Sequence, residues 1–259
     1  MNTRPEIEAL LERMQPVTLG EMDSIKLMNR IDTKYVTTES VLEEILAEVV
    51  EGYRVLVTDN LRTGGYDTLY YDTPGREMYM AHRNGHLNRQ KVRTRTYLNS
   101  GISFLEVKRK NNHGRTKKKR IPIDGALFHD FSSDTSARDF LMARSGYGAD
   151  ALIPRLRTAF RRITLVDVDL SERVTIDLGV TFASADDGVE RCISPAVIIE
   201  LKQDGASASK IRKVLHEHRV QPLRISKYCI GTVLTCPDAR AGRFREKVHQ
   251  LEKIKGSKI

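Results

Sequence analysis

Basic side chains recur at every second position in several stretches of this chain. Arg93 and Arg95 alternate with small or apolar residues, and Glu106 and Lys108 do the same a few positions later. Alternate side chains of a β-strand lie on one face, so each stretch would present its charges together. The same alternation returns in three later segments, with charges at Arg155, Arg157 and Arg161, at Arg173 and Asp177, and at Glu200 and Lys202.

These residue types suit the chemistry of phosphate. The planar fork of arginine donates two hydrogen bonds to phosphate oxygens. A few carboxylates among the cations suit a divalent metal ion held by one or two acids and by substrate phosphates. Catalysis would then consist mainly of positioning and charge neutralisation around an in-line phosphoryl transfer. The P-loop class is excluded, because the Gly64–Gly65 pair lacks the following Gly-Lys-Ser/Thr.

The faces opposite these charges are apolar and must be covered by other elements. In the later strands they carry Val174, Ile176 and Leu178, then Ile199 and Leu201. If such a sheet closed on itself, its cations would line the lumen and repel one another unless an anion filled it. The pattern predicts an α+β fold in which a closed antiparallel barrel is flanked by helices. We expect helices within residues 1–28, 38–50, 76–84, 133–145, 207–218, 226–235 and 238–255.

Local signals indicate where some elements begin and turn. The stretch Asn99–Gly101 is typical of a hairpin turn, because Gly and often Asn tolerate a positive φ. Ser40 followed by Glu43 fits a capping box at a helix start. The basic stretch 115–123, RTKKKRIPI, follows a turn at residues 111–114. We favour a solvated strand with one or two basic side chains facing inward, and the alternative is a nuclear-localisation or nucleic-acid patch.

The overall charge of the chain points to an anionic partner. The formal net charge is +9 and the pI is about 9.5, which suits nucleic acid, phosphorylated small molecules, polyphosphate or anionic lipid. The chain has no Trp. It also has no aromatic-interleaved basic tract that resembles a base-stacking platform. We found no helix-turn-helix, zinc-finger or RNP signature, so nucleic acid is not the expected partner.

Cysteine usage and hydropathy bear on the compartment. The three cysteines are an odd number without CxxC spacing, which argues against a disulfide framework or a structural zinc site. No run approaches the roughly 18–20 apolar residues of a membrane span. The charged, helix-patterned start of the chain is not typical of a signal peptide. We therefore expect a reduced cytoplasmic location.

Seven short motifs, taken together, resemble a known family. They are TKYV (33–36), KVRTRTYL (91–98), FLEVKRK (104–110), RLRTAFRR (155–162), RVTIDLGV (173–180), VIIELKQ (197–203) and ISKYCIG (225–231). Their order and sequence resemble the VTC domain, which is the polyphosphate polymerase domain family of the triphosphate tunnel metalloenzyme superfamily. The resemblance covers roughly residues 25–235.

The resemblance implies a fold and a reaction. It implies one domain over residues 1–259, with a tunnel of eight antiparallel strands as a core at about 25–235 and terminal helices packed outside. The implied activity moves the γ-phosphate of ATP, or of another nucleoside triphosphate, onto polyphosphate or pyrophosphate with Mn²⁺ or Mg²⁺. Relatives in the superfamily hydrolyse triphosphates or cyclise ATP. Hydrolysis by the same site, non-catalytic binding of polyphosphate or inositol polyphosphate, and nucleic-acid binding remain the alternatives.

The resemblance also implies site residues. Glu200 corresponds to the metal-binding glutamate of the family. The superfamily signature E-x-E-x-K is replaced here by Arg30, Asp32 and Lys34, which favours the VTC branch and leaves the number of metal ligands open. A salt-bridged barrel interior is the competing interpretation, with Glu200 paired to Arg157 or Arg173 and Asp177 paired to Lys202. The implied phosphate-binding and catalytic residues are Lys34, Arg93, Arg95, Lys108, Arg157, Arg173, Lys202 and Lys227.

Overall fold

A computed structural model describes residues 4–23, 30–113, 115–205 and 208–259. In these residues eleven strands form one sheet, antiparallel throughout except for the short pair β1 and β3. The strands are β1 (Pro16–Val17), β2 (Arg30–Thr38), β3 (Tyr53–Leu56), β4 (Gly64–Asp72), β5 (Arg89–Tyr97), β6 (Ser103–Lys110), β7 (Thr116–Ile123), β8 (Ile153–Asp167), β9 (Glu172–Ser184), β10 (Glu190–Cys192) and β11 (Ala196–Asp204).

Eight of these strands form a continuous hydrogen-bonded path, β2-β11-β9-β8-β4-β5-β6-β7. The predicted antiparallel sheet with eight principal strands is confirmed, but its closure into a barrel is wrong. In the described residues the path ends at β2 and β7, and three short strands branch from it. The free edge of β2 is occupied by another segment, since the Leu223 amide donates to the Lys34 carbonyl at 2.8 Å. The edge strand β7 carries exposed Lys117 and Lys119, and edge charges of this kind disfavour further pairing.

Helices cover the outer face of the sheet, as the sequence predicted. Ile163, Ile176 and Ile199 are fully buried in one apolar cluster with α1, α3 and α6, and Val92 and Leu105 lie in a second cluster with α5. The helices are α1 (Pro5–Arg13), α2 (Leu19–Asp23), α3 (Glu39–Val49), α4 (Glu77–Asn84), α5 (Thr135–Ser145), α6 (Lys210–Glu217), α7 (Lys227–Thr235) and α8 (Arg245–Lys255).

A third apolar cluster lies on the inner face, where we had expected only charges. Leu156, Phe160 and Phe182 point inward from β8 and β9 and pack against Tyr228 of α7. Gly231 brings the helix backbone close to the strands, because a Cβ built there would lie 2.5 Å from Leu156 and Phe182 side-chain carbons. One part of the inner face is therefore filled by a helix, and the remaining part is charged.

Local predictions have mixed outcomes. The hairpin between β5 and β6 turns at Asn99–Gly101, where Gly101 has φ of 70°, so this prediction is confirmed. The capping box at Ser40 is wrong, because the N-cap lies two residues earlier at Thr38, whose hydroxyl accepts from the Val41 amide at 3.3 Å. Ser40 therefore lies within the first turn of the helix.

Some predictions fall partly outside the described residues. They are the last part of the helical region 1–28, the Gly114 end of the turn before β7, and the Ser207 start of the helix that is described from Lys210. No helix in the described ranges combines the length and the apolar character needed to cross a membrane.

Candidate functional site

The charged part of the inner face collects side chains from seven strands and one helix. Four strands lie between β6 and β11 in the order of the sheet. Glu200 on β11 and Lys34 on β2 are nevertheless close enough to Lys108 on β6 to influence its pKa, so the two sides of the charged part approach each other. The sheet is therefore strongly curved. We call the following residues the inner charged cluster: Lys34, Lys91, Arg93, Arg95, Glu106, Lys108, Lys118, Arg162, Arg173, Asp177, Glu200, Lys202 and Lys227.

Glu106 is the buried acid on the β5–β7 side. Its side chain is only 1% exposed and accepts from Arg93 Nε at 2.7 Å and from Lys118 Nζ at 3.1 Å. Arg93 also donates to the Tyr70 hydroxyl at 3.2 Å. Burial alone would raise the pKa of Glu106, but the charges of Arg93, Arg95 and Lys118 hold it far below its usual range. The carboxylate thus stays ionised and fixes the Arg93 guanidinium.

Asp177 is the buried acid on β9. It accepts two hydrogen bonds from Arg162, at 2.6 Å from Nε and 2.9 Å from Nη2, and a third from the Lys227 ammonium. Burial opposes ionisation, but the charges of Arg162 and Lys227 hold the pKa of Asp177 far below its usual range. The expected pairing of Asp177 with Lys202 is wrong, because Arg162 and Lys227 bind the Asp177 carboxylate instead.

Glu200 is the acid on β11, and lysines engage both of its oxygens. Oε1 accepts from Lys34, its cross-strand neighbour on β2, and Oε2 lies 2.8 Å from Lys202 Nζ. Despite burial, Lys202 and Lys34 hold the pKa of Glu200 well below its usual range. Pairing of Glu200 with Arg157 or Arg173 is therefore wrong, although the general picture of internal ion pairs is confirmed.

Cations outnumber acids in the inner charged cluster, and several have neutral partners. Lys91 donates to the Ser226 hydroxyl at 2.8 Å, and Arg95 donates to the Thr68 hydroxyl at 3.0 Å. A buried surplus of positive charge is unfavourable unless an anion compensates it. The composition of the cluster therefore favours a polyanionic ligand.

The surplus of positive charge is reflected in the lowered pKa values of lysines in the inner charged cluster. Desolvation inside the cluster lowers the pKa of Lys227 to about 8, and Arg162 adds to the effect. The pKa of Lys108 is likewise lowered to about 8 by desolvation and by Lys91, although part of its side chain remains exposed. Tyr70 also titrates in this range. Burial would raise its pKa, but the charges of Arg93, Lys91 and other cations bring it down to about 8. An anion in this space would restore the lysine pKa values toward their ordinary range.

The structure places Arg157 apart from the inner charged cluster. Its side chain is 52% exposed on the outer face of β8, where it binds Asp67 at 2.5 Å. Arg162 faces inward, whereas the sequence had predicted that Arg155, Arg157 and Arg161 form the inward charged face of this strand. The prediction failed because Leu156 and Phe160, on the same face as Arg162, are covered from within by α7.

The other predicted site residues come together. The inner charged cluster contains Lys34, Arg93, Arg95, Lys108, Arg173, Glu200, Lys202 and Lys227. Sequence analysis missed Lys91, Arg162 and Tyr70. Lys91 could have been found, because it lies two residues before Arg93 on the same strand face. Lys118 fulfils the expectation that part of the basic stretch 115–123 faces inward.

The carboxylates of the inner face could hold a divalent cation only if a bound phosphate compound supplied the remaining oxygen ligands. Among the described residues, no three His, Cys, Asp or Glu side chains converge to form a complete metal site. Glu200 is available if one lysine moves, and Asp32 lies beside it on β2, in register with Lys202. One or two carboxylates with phosphate oxygens and water suffice for Mg²⁺. Glu200 and Asp32 would therefore hold such an ion, with phosphate completing its coordination.

Comparisons with known proteins agree with this geometry. The family model of the VTC domain matches residues 29–235. A candidate adenylyl cyclase from Hippeastrum, reported with a dominant triphosphatase activity, matches with a TM-score of 0.50 at 12% identity over 79% of this chain and 95% of that chain. A candidate adenylate cyclase from Bacillus halodurans also matches at 0.50, with 11% identity over 77% and 96%. These likenesses show a shared fold. A search of curated proteins found no match.

Proposed function

The chain belongs to the VTC domain family, and on this premise we propose that it transfers the γ-phosphate of ATP onto a polyphosphate chain within the inner charged cluster. The observation that carries the proposal is the surplus of inward-facing cations over acids in the inner charged cluster, whose three acids Glu106, Asp177 and Glu200 each bind cations already. Such a surface favours a long polyanion over a single phosphate, because its cations are spread over many strands. Polyphosphate or pyrophosphate is the proposed acceptor.

The transfer forms one bond and breaks one bond. A terminal oxygen of the acceptor attacks the γ-phosphorus, the bond to the β,γ-bridging oxygen breaks, and ADP leaves with the electron pair. Arg93, Arg95 and Arg162 supply fixed donors to phosphate oxygens, and their own orientation is fixed by Glu106, Thr68 and Asp177. Preorganised cations of this kind stabilise the charge that develops on the transferred group.

The acids of the cluster support transfer over hydrolysis. A general base acts best when its pKa is near the working pH. The pKa values of Glu106, Asp177 and Glu200 are all held far lower by neighbouring cations. A polyphosphate acceptor is already ionised at neutral pH and needs no base, whereas water does. These three carboxylates are therefore poor bases for water, which favours an anionic phosphate nucleophile.

We propose Mg²⁺ or Mn²⁺ as the cofactor, held by Glu200 and Asp32. When bound, the ion neutralises phosphate charge and orients the β- and γ-phosphoryl groups. The protein side chains retain the other tasks, namely gripping the chain and fixing its register. The three cysteines form no disulfide, which supports our further proposal of a reducing cytoplasmic location.

Hydrolysis of triphosphate or polyphosphate is the second candidate. It is supported by the shared fold with the Hippeastrum protein and its reported triphosphatase activity. Lys108, Lys227 and Tyr70, whose pKa values are about 8, are the groups able to accept a proton from water. A non-catalytic polyphosphate-binding module remains the third candidate.

Product analysis separates these candidates. Purified protein is incubated with ATP and Mn²⁺ or Mg²⁺, with and without a short polyphosphate primer. Long-chain product together with ADP is expected. Orthophosphate as the sole phosphorus product would establish the hydrolase instead, and tight binding of polyphosphate without turnover would establish the binding module. RNA binding that survives moderate salt would contradict all three, since nonspecific phosphate contacts weaken steeply with salt.

A further inference from the structure

A row of aromatic rings crosses the inner face beside the phosphate-gripping arginines. Tyr66 stacks on Phe160 with centroids 5.2 Å apart and 6° between planes, and it contacts Tyr97 at 5.0 Å. Tyr97 in turn meets the edge of Phe104 at 5.8 Å. These four rings, the aromatic row, come from β8, β4, β5 and β6. No short stretch of sequence contains them, so sequence analysis found no stacking platform.

Guanidinium groups lie over the rings of this row. Arg162 lies 5.0 Å from the Tyr66 centroid, and Arg120 lies 4.3 Å from the Phe104 centroid while donating to the Tyr97 hydroxyl at 3.1 Å. Alternating rings and guanidinium planes form the kind of surface on which nucleobases stack. Arg120 is exposed, so the outer side of its guanidinium plane is open to a ligand.

Two members of the row are not structural core. Tyr97 and Phe104 are partly exposed, and across the described ranges neither ring packs into one of the buried apolar clusters. By contrast, Phe160 is buried against α7. An aromatic ring left half-open on a concave, cationic face has apolar surface to offer a ligand.

The position of the row relative to the arginines suits a nucleotide. Tyr97 follows Arg95 by two residues, and Phe104 precedes Glu106 by two, on the same strand faces. Two residues of strand span about 7 Å. The rings thus lie one inward position beyond the arginines that would hold phosphate, which leaves the span of a ribose between a gripped phosphate and a stacked base.

We propose that Tyr97, Phe104 and Arg120 form a nucleobase subsite, which selects a nucleoside triphosphate over inorganic tripolyphosphate as the donor. This inference rests on the proposed function, because the arginines must grip the phosphates for the base to reach the row. Stacking tolerates every base because each has a π-face. The subsite therefore distinguishes nucleotides from polyphosphate more strongly than one base from another, and the acceptor chain binds elsewhere in the cluster.

Titration calorimetry with three ligands tests the subsite. The ligands are ATP, ribose 5′-triphosphate, which lacks only the base, and inorganic tripolyphosphate. Tyr97→Leu and Phe104→Leu are each expected to weaken ATP binding by about tenfold while leaving the two base-free ligands unchanged. Tyr97→Phe, which keeps the ring, should retain wild-type ATP affinity. Tyr147→Leu, a half-buried tyrosine on the outer side, is the matched control, and circular dichroism verifies the fold of each variant.

The outcomes separate the two proposals. Equal losses for ATP and ribose 5′-triphosphate, or no loss for ATP, would overturn the nucleobase subsite while leaving the phosphate site intact. Failure of the wild-type protein to bind any of the three ligands would overturn the proposed function and the subsite with it. Tighter binding of single-stranded RNA than of ATP, abolished by Tyr97→Leu, would show that the row serves RNA instead.

Discussion

Lys227, the first residue of α7, donates to Asp177 of β9 inside the curved sheet. The residue before it, Ser226, caps the same helix by accepting from the Cys229 amide at 3.3 Å, and it also accepts from Lys91 of β5. The helix that fills the apolar part of the inner face therefore contributes its N-terminus to the charged part. Because one end of α7 both packs against the apolar part and binds the charged part, a shift of α7 would alter the inner charged cluster directly.

Replacing Arg162 should impair the site, whereas replacing Arg157 should not. We expect Arg162→Ala to weaken tripolyphosphate binding by roughly tenfold or more, since a hydrogen bond to a charged group contributes about 1.5–3 kcal/mol. Arg157→Ala is the matched control on the same strand, because that side chain binds Asp67 on the outer face. Titration calorimetry measures both. The reverse order of effects would place Arg157 in the site and contradict the facing described for β8.

Glu200→Gln should weaken metal binding and so raise the metal concentration that turnover requires. The amide keeps the size of the side chain but loses the charge that attracts a cation, so we expect the metal concentration for half-maximal activity to rise by roughly tenfold. Glu106→Gln is the control, because that acid orients Arg93 and Lys118 on the other side of the cluster. Activity is measured against Mg²⁺ and Mn²⁺ concentration. An unchanged metal curve for Glu200→Gln would exclude Glu200 as a ligand.

Binding of tripolyphosphate should weaken as the pH rises from 7 to 9. The lowered pKa values of Lys108 and Lys227 are about 8, so both lose positive charge in this range. Tyr70, whose pKa is also about 8, gains negative charge over the same interval. Lysines with the ordinary pKa of about 10.4 would leave the affinity nearly flat. Calorimetry at pH 7, 8 and 9 with constant ionic strength gives the comparison, and a flat profile contradicts the expectation.

Lys108 and Lys227 also determine the direction in which folding stability changes with pH. A lysine whose pKa is lower in the folded state binds fewer protons than in the unfolded state, so its contribution to stability increases as the pH rises from about 8 toward 10.4. At lower pH these lysines are charged and repel neighbouring cations in the folded protein, and bound tripolyphosphate compensates that charge. We therefore expect the ligand-induced rise in Tm to be larger at pH 7 than at pH 9, as measured by thermal unfolding with and without ligand.

Gly231→Ala should destabilise the fold without touching the charged residues. The added Cβ would lie 2.5 Å from carbons of Leu156 and Phe182, and overpacking of this kind costs about 1–3 kcal/mol. Gly75→Ala is the matched control, because nothing lies within 4 Å of a Cβ there. Urea unfolding at constant pH measures the difference. Equal stability of the two variants would mean that α7 does not pack closely on the inner face.

Most of the site was predictable because alternation along a strand is a local property. Arg93, Arg95 and Glu106 share one face of their hairpin whatever the rest of the chain does. The motifs that resemble the VTC domain pointed to the family that the family model then matched. The outer-face burial of Ile176 and Ile199 followed from the same alternation.

The sequence by itself determined which residues alternate, and hence the charged strands and the antiparallel α+β fold, and it indicated the phosphate chemistry that we propose. Only the tertiary structure decided which face of β8 points inward, because α7 packs on the concave side and buries Leu156 and Phe160 there. It also decided that the strands of the described residues form an unclosed sheet and that four rings from four strands form one row. Local patterns fix neighbours along a strand, whereas the packing of a distant helix and the curvature of the sheet fix neighbours across it.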